Sequence, residues 1–377
     1  MTTRLFTCAV ALWLVAAAGS SLPAQDAYPW HLPTGFPPPP VPADNPMSAA
    51  KVELGRHLFY DRRLSANGTQ SCSTCHEQAR AFADARGHGL GSTGQLHPRG
   101  SMSLVNVAYA ATLTWANPLQ TRLEDQVLVP MYGDHPVELG LGRDDQWLAT
   151  LVRDATYQRL FAAAFGAPTS ITRDQVSKAL ASFERSIVSA RSPYDRYHYD
   201  RDESAISDAA KRGEILFHSR PLSCFTCHGG PHFSSAMGVR RSNPVEFHNT
   251  GLYNLPGMLS YPASDTGLYE VTHDVTDIGK FKAPTLRNIA VTAPYMHDGS
   301  AATLDDVIDH YAAGGRTIAA GPDRGVGHNQ PNKSPSIRGF AITLDQRADL
   351  IAFLQSLTDE ALLHDRAFAN PWVTPSK

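Results

Sequence analysis

The pattern Cys-x-x-Cys-His occurs twice, at residues 72–76 (CSTCH) and 224–228 (CFTCH). Two thiols separated by two residues can form thioethers with the two vinyl groups of one haem, and the histidine that follows then lies under the iron. The repeated pattern therefore predicts two covalent c-type haems. The expected attachment and proximal-ligand residues are Cys72, Cys75 and His76 for haem 1, and Cys224, Cys227 and His228 for haem 2.

Two other uses of Cys-x-x-Cys fit this chain less well. A zinc ribbon brings together two such pairs that usually lie 15–20 residues apart, about one tenth of the separation seen here. A thiol-redox pair is expected in a thioredoxin-like βαβ context, and no such pattern surrounds either motif. The haem interpretation is therefore preferred.

The N-terminus predicts export. Arg4 is followed by an apolar run at residues 5–18 and then by small residues, which is the shape of a secretory signal, with cleavage expected between Ser20 and Asp26. The run is shorter than the ~20 apolar residues of a spanning helix, and no later stretch is long enough to span. A buried N-terminal helix is the alternative. We expect residues 1–25 to be a signal peptide and the protein to be periplasmic.

Charge and cysteine usage narrow the function classes further. The net charge is −3, which gives no reason to expect a nucleic acid or an anionic membrane surface as partner. Removal of the signal also removes Cys8, so that the four remaining cysteines all lie in the two motifs. Disulfides inside each motif would cross-link almost nothing, which again favours haem attachment.

Helical patterns dominate the rest of the chain. A proline-rich arm is predicted at residues 26–47, because so many prolines exclude regular helix and central strand. Ser48 is a candidate helix cap. Capping boxes begin at Thr172, Thr303 and Thr343, and Gly314 or Gly315 is the candidate end of the helix that follows Thr303. Long irregular stretches are expected at 85–120 and 229–285.

An internal repeat divides the chain. LGRHLFYDRRLS precedes the first motif and RGEILFHSRPLS precedes the second, so each motif follows a helix, a Leu-Phe pair and a Leu-Ser pair. The polar segment 191–205 lies between the copies. We expect an N-terminal haem domain at residues 48–195 and a C-terminal haem domain at 196–377.

Several segments resemble the bacterial dihaem cytochrome c peroxidase/MauG superfamily over essentially the whole chain after the signal. They include SMSLVNVAYA, RLEDQVLVPMYGDHPVELG, FKAPTLRNIAVTAPYMHDGSAATLDDVIDHY and DLIAFLQSLT, together with both haem motifs. GSTGQLHPR, TWANP and GDHPVELG are most similar to the MbnH-type dihaem enzymes. The resemblance implies an all-α fold of two cytochrome-c-like helical haem domains with long irregular loops.

The resemblance also implies a distal pocket at haem 1. The family's peroxidases carry a releasable distal histidine at the position that corresponds to Ser92, and neither His88 nor His97 matches it. Haem 1 is therefore expected to be open, so that it can bind peroxide directly. Gln126, Pro130 and Glu138 match the family's distal residues. Glu138 is the candidate general acid/base that moves a proton between the peroxide oxygens; the alternative is a surface or capping glutamate.

At haem 2 the family register aligns Tyr311 with the second axial ligand. Leu304, Val307, Ile308 and Tyr311 share one helical face, which directs the tyrosine inward. The alternative is a core tyrosine, with Met258 or Met296 on the iron. A phenolate ligand fits oxidation chemistry better than electron storage.

Three further site predictions rest on the resemblance. Trp115 lies close to the family's inter-haem tryptophan, with a buried core tryptophan as the alternative. Thr292 and Pro294 match backbone ligands of a calcium ion between the haems, whereas the family's asparagine ligand aligns with Gly100 or Ser101. The surface tryptophan of MauG that precedes the second motif is Leu222 here, so the exit route must differ.

These residues predict a periplasmic dihaem oxidoreductase. In the preferred reading, hydrogen peroxide generates a high-valent dihaem state that oxidises a residue such as tryptophan on a partner protein by long-range electron transfer. The first alternative is a peroxidase that takes electrons from a small cytochrome. The second is an electron-transfer dihaem cytochrome, which would need both irons six-coordinate and would have no use for Glu138 and Gln126.

Overall fold

The computed structural model describes residues 28–167, 170–238, 244–257 and 259–373. The predicted signal peptide, residues 1–25, lies outside this range. Among the described residues, no helix is both long and apolar enough to cross a bilayer.

Helices joined by long irregular segments form most of the regular structure. They are α1 (Ala49–Phe59), α2 (Cys72–Cys75), α3 (Leu123–Gln126), α4 (Leu128–Tyr132), α5 (Leu148–Arg153), α6 (Ala155–Phe165), α7 (Arg173–Ser186), α8 (Pro193–Tyr199), α9 (Asp208–Phe217), α10 (Tyr269–Thr272), α11 (Leu304–Ala312), α12 (Leu344–Ser356) and α13 (Glu360–His364).

Strands are short. In the described part of the chain they form two antiparallel ladders of two residues per strand, β1 (Phe247–His248) with β2 (Phe281–Lys282), and β3 (Thr317–Ile318) with β4 (Gly325–Val326). The fold is therefore helix-rich, as expected, and the small ladders lie within the C-terminal half.

The predicted helix starts are confirmed. The hydroxyl of Ser48 accepts a hydrogen bond from a backbone N–H of the first turn of α1. Thr172, Thr303 and Thr343 each form a reciprocal capping box at the starts of α7, α11 and α12. After α11, Gly314 adopts a positive φ of 68°, a left-handed conformation that glycine takes at little cost.

The internal repeat corresponds to two similar helix crossings. Gly55 in α1 faces the backbone of α7, where a Cβ would lie 2.0 Å from the carbonyl oxygen of Ala179. Gly213 in α9 faces α12, where a Cβ would lie 2.0 Å from the carbonyl oxygen of Asp349. Both glycines stand at the same spacing before their Leu-Phe pair. Each half therefore has the same close helix crossing shortly before its haem motif.

Each half also has a buried asparagine at an equivalent position after its haem motif. Asn106 and Asn288 are both buried, with φ of 59° and 61°, a region in which asparagine is enriched. The Asn106 side chain hydrogen-bonds the backbone N–H and carbonyl of Ser189 after α7. Asn288 accepts from the backbone N–H of Asp359 after α12 and donates to the Ser189 hydroxyl. Asn106 Nδ2 also lies 3.3 Å from Nδ1 of His232, so both asparagines join the halves.

The proline-rich arm is packed against the protein. Residues 28–46 contain no regular helix or strand. Phe36 is buried against Tyr109 and His232, and the Tyr109 hydroxyl donates to the carbonyl of Pro37 at 2.7 Å. The arm thus contacts both halves of the chain.

Two larger apolar clusters follow the two halves for the most part. One contains residues of α1, α6 and α7 and also Leu362 and Leu363 of α13; the other contains residues of α8, α9, α11 and α12. The predicted division between residues 195 and 196 falls inside α8, whose Tyr194 packs in the second cluster. Asp195 forms a fully buried, bidentate ion pair with Arg287, both bonds being 2.8 Å. The division into two haem domains therefore stays a proposal, with α8 on the C-terminal side.

Candidate functional site

Both haem motifs open into one continuous cavity of about 990 Å³. Segments before and after each motif, the loop of residues 97–105 and the faces of α11 and α12 line it. The following residues predicted from the sequence all lie on its wall: Cys72, Cys75, His76, Trp115, Gln126, Pro130, Glu138, Cys224, Cys227, His228, Thr292, Pro294 and Tyr311.

The two motif histidines are arranged as metal ligands. His76 Nδ1 is 2.8 Å from the carbonyl oxygen of Phe82, and His228 Nδ1 is 3.2 Å from that of Phe233 and 3.1 Å from that of Pro284. Such a bond fixes Nδ1 as the protonated nitrogen and leaves Nε2 free for a metal. Burial lowers the pKa of both rings, to about 4 for His228, so they are neutral as metal binding requires.

The four thiols do not resemble a redox centre. They form no disulfide. Burial raises the pKa of each, to about 11 for Cys75 and Cys224, whereas a redox-active Cys-x-x-Cys has a lowered pKa. Paired thiols on the wall of a large cavity, each followed by an oriented histidine, fit covalent haem.

The N-terminal part of the cavity holds the predicted distal residues. Gln126 ends α3, Pro130 lies in α4, and Glu138 follows in the next loop. The backbone N–H of Leu139 donates to the carbonyl of Pro130 at 2.9 Å and fixes this loop against the helix. Burial raises the pKa of Glu138 to about 7, which suits proton transfer near neutral pH.

Ser92 supports this loop from outside the cavity. Its backbone N–H donates to the carbonyl of Glu138 at 2.7 Å, and its hydroxyl donates to that of Leu139 at 3.2 Å. His97, which the family register does not match to a ligand, lines the cavity with Nε2 3.7 Å from Oε1 of Glu138. His88 is exposed and lies outside the lining.

Trp115 lies on the cavity wall between segments of the two halves. Its Nε1 donates to the carbonyl of Gly100 at 2.9 Å, and its own carbonyl accepts from the backbone N–H of Lys282 at 2.9 Å. The indole is half-buried and packs beside a cluster that contains Tyr261 and Phe281. Trp115 is thus held by the N-terminal loop on one side and the C-terminal half on the other.

Two of the three candidates for the second ligand of haem 2, Tyr311 and Met296, line the cavity. The face formed by Leu304, Val307, Ile308 and Tyr311 lines the cavity as the helical spacing predicts. Burial raises the pKa of Tyr311, and the Cys227 and Cys224 thiols add to the rise. Met296 also lines the cavity, so lining alone does not decide between the two. Met258 lies outside the described residues.

The predicted calcium ligands lie close to the loop that contains Gly100. Thr292 and Pro294 line the cavity, and the backbone N–H of Gly100 donates to the carbonyl of His297 at 2.7 Å. Among the described residues, no cluster of three or more histidine, cysteine or carboxylate side chains forms a metal site. A calcium ion here would therefore depend on backbone oxygens, as the resemblance implies.

Two charged residues on the cavity wall were not predicted from the sequence. Glu184 in α7 is buried, its Oε2 has no hydrogen-bond partner among the described residues, and burial raises its pKa to about 8. Lys282 is buried with its Nζ 2.6 Å from the carbonyl oxygen of Thr112, and burial lowers its pKa to about 7. Neither belongs to a motif, and Lys282 is held by a contact with a segment far away in the chain.

One cavity with two oriented motif histidines and four paired thiols defines a dihaem c-type protein. The family model for di-haem cytochrome c peroxidase matches residues 49–204. The chain is 34% identical to the cytochrome-c peroxidase IdrP1 of Denitromonas iodatirespirans over 96% of its length and 95% of that protein. It is 33% identical to the methylamine utilization protein MauG of Methylophilus methylotrophus over 86% of its length and 87% of that protein.

Solved structures agree with this grouping. A MauG-like protein associated with microbial copper homeostasis superimposes with a TM-score of 0.89 at 45% identity, covering 92% of this chain and all of that one. The dihaem peroxidase BthA from Burkholderia thailandensis shares the fold at a TM-score of 0.65 and 22% identity, covering 85% of this chain and 88% of that one. This chain belongs to the dihaem cytochrome c peroxidase/MauG family.

Proposed function

We propose that this protein is a periplasmic dihaem oxidase that uses hydrogen peroxide to oxidise a residue, such as tryptophan, on a partner protein by long-range electron transfer. The observation that supports this most strongly is the single cavity that both haem motifs line together with Glu138, Gln126 and Tyr311. Trp115 also lines it and is hydrogen-bonded to segments of both halves. Two bound c-type haems would supply the iron that reacts with peroxide and the two redox centres that store its oxidising equivalents.

Glu138 and Gln126 handle peroxide in this proposal. The ionised carboxylate of Glu138 takes a proton from one peroxide oxygen and delivers it to the other, which leaves as water. The amide of Gln126 orients the peroxide by hydrogen bonding, and the ring of Pro130 provides an apolar wall. A pKa of about 7 allows the carboxyl group both to accept and to release the proton.

Tyr311 and Trp115 have electronic roles in this proposal. A phenolate oxygen is a harder donor than a thioether and stabilises oxidised iron, which suits a haem that oxidises others. Coordination by the metal would remove the phenolic proton despite the raised pKa, as it does for coordinated thiols. Trp115 is held from both halves and would pass an oxidising equivalent between them.

A second candidate is a peroxidase that reduces peroxide with electrons from a small cytochrome. The names of several relatives support it, including IdrP1. Ser92 argues against it, because a serine that is hydrogen-bonded to the Glu138 loop outside the cavity cannot act as the releasable histidine ligand. The similarity to the MauG-like protein associated with copper homeostasis also supports the oxidase.

Two accompanying assignments belong to the same proposal. The predicted signal peptide would export the chain to the periplasm, where c-type haem is attached. A calcium ion bound by the backbone carbonyls of Thr292 and Pro294 would stabilise the segment between the haems.

Partner oxidation is testable by product analysis. The ferric protein is mixed with peroxide and one candidate secreted protein at a time, and the digested partner is analysed by mass spectrometry. The proposal predicts oxygen incorporation at a specific residue that needs both peroxide and the dihaem protein. Peroxide turnover only with a reduced small cytochrome, and no modified partner, would favour the peroxidase. Glu203→Gln, at an exposed residue, is the control and should give the same yield of oxidised partner as the wild-type protein.

A further inference from the structure

His97 faces Glu138 across the distal part of the cavity. Their side chains come from separate segments, the loop after the first haem motif and the loop after α4, and Nε2 of His97 lies 3.7 Å from Oε1 of Glu138. The Nε2 atom is buried and has no hydrogen-bond partner among the described residues. A buried unpaired nitrogen costs free energy unless it gains a partner, and the carboxylate is the group in reach.

The two loops are held together by several backbone contacts. The backbone N–H of Ser92, in the loop that carries His97, donates to the carbonyl of Glu138 at 2.7 Å. Gly91 abuts the other loop so closely that a Cβ would lie 1.7 Å from the carbonyl oxygen of Val137. The backbone therefore fixes the separation of His97 and Glu138, and a small side-chain rotation is enough to bring them into hydrogen-bonding distance.

The surroundings leave His97 as the natural partner of the carboxylate. Among the described residues, no other basic nitrogen lies within 4.0 Å of the Glu138 oxygens. The other ionisable groups that interact with Glu138 are the thiols of Cys72 and Cys75, which haem attachment converts to neutral thioethers. Burial lowers the pKa of His97, so the ring is neutral at neutral pH.

We propose that His97 is a positioning residue for the distal acid/base: its Nε2–H donates to Glu138 Oε1 and turns the other carboxylate oxygen toward the peroxide site of haem 1. This inference rests on the proposed function, in which Glu138 moves the peroxide proton. His97 itself is neither an iron ligand nor in contact with peroxide. It sets the orientation of the carboxylate and stabilises its ionised form.

The test uses cyanide binding to the ferric holoprotein, which needs no turnover and no partner. Hydrogen cyanide must give up a proton as it binds iron, so its binding rate reports a correctly oriented distal base. His97→Phe should slow binding about three- to tenfold, the factor of one hydrogen bond. His97→Gln should restore the rate to within about twofold, because its amide N–H occupies the place of Nε2–H.

A double-variant cycle separates positioning from general loop damage. In a Glu138→Gln background, His97→Phe should have no further effect, because the carboxylate that it orients is gone. His364→Ala, at an exposed histidine of α13, is the control and should bind cyanide at the unmodified rate.

Three results would overturn the proposal. Equal slowing by His97→Phe with and without Glu138 would show an independent, structural effect. Conversion of haem 1 from low spin to high spin by His97→Phe, seen by EPR before any ligand is added, would identify His97 as an iron ligand. No cyanide binding by the unmodified ferric protein would refute the open haem 1, and with it both this inference and the proposed function.

Discussion

Glu138→Gln is the substitution that most directly probes peroxide activation. It keeps the size and polarity of the side chain and removes the ionisable oxygen. General acid–base catalysis of this kind contributes about 10²- to 10⁴-fold, or about 3–5 kcal/mol of barrier. We therefore expect the second-order rate constant for peroxide to fall by a factor in that range, with the optical spectrum of the resting ferric protein unchanged.

The rate of reaction with peroxide should also depend on pH through the ionisation of Glu138. Burial raises the pKa of Glu138 to about 7, and the proton-accepting form is the carboxylate. About one tenth of the molecules are ionised at pH 6 and about nine tenths at pH 8. The unmodified protein should therefore react with peroxide about tenfold faster at pH 8 than at pH 6, and Glu138→Gln should be slow at both.

Stopped-flow mixing of the ferric protein with peroxide under pseudo-first-order conditions measures both effects. Glu203→Gln, at an exposed glutamate outside the cavity, is the matched control and should leave the rate and its pH profile unchanged. A Glu138→Gln rate within about twofold of the wild-type rate would contradict a proton-transfer role for Glu138, because an effect that small is far below the contribution of such a group. A tenfold pH slope that persists in the variant would do so as well.

Tyr311→Met should raise the reduction potential of haem 2 in a potentiometric titration, because a thioether favours reduced iron more than a phenolate does. Met296→Leu should leave this potential unchanged. A shift in the Met296→Leu variant alone would identify Met296 as the ligand. Asp195→Asn should lower the free energy of unfolding in denaturant titrations by about 3–5 kcal/mol, because Arg287 is left buried without its carboxylate; a loss below about 1 kcal/mol would contradict this. Gly55→Ala should cost about 1–3 kcal/mol by overpacking the helix crossing, measured as a lower melting temperature. An unchanged melting temperature would mean that the helices separate freely.

Local sequence signals predicted much of the fold. The caps at Ser48, Thr172, Thr303 and Thr343 depend on contacts three residues apart, so a short window contains all the information. The haem motifs are equally local. The helical face of Tyr311 followed from spacing within one helix.

Contacts between distant segments could not be predicted from such local sequence patterns. His97 and Glu138 meet because two loops pack backbone to backbone at Gly91, and neither loop has a periodic pattern. Lys282 is held on the cavity wall by the carbonyl of Thr112, a residue far away in the chain. The sequence alone also left open how close the repeated helices come, which depends on the missing side chains of Gly55 and Gly213 rather than on apolar spacing.

The proposed oxidase activity depends on haem 1 being open to peroxide in the fully ferric protein. The most direct measurement adds one equivalent of peroxide to the oxidised holoprotein without reductant and records optical and EPR spectra within seconds. We predict prompt loss of a high-spin ferric signal and slow return to the starting spectrum. No reaction until the protein is half-reduced would mean that a distal ligand blocks haem 1, and would contradict both the role of Ser92 and the proposed oxidase.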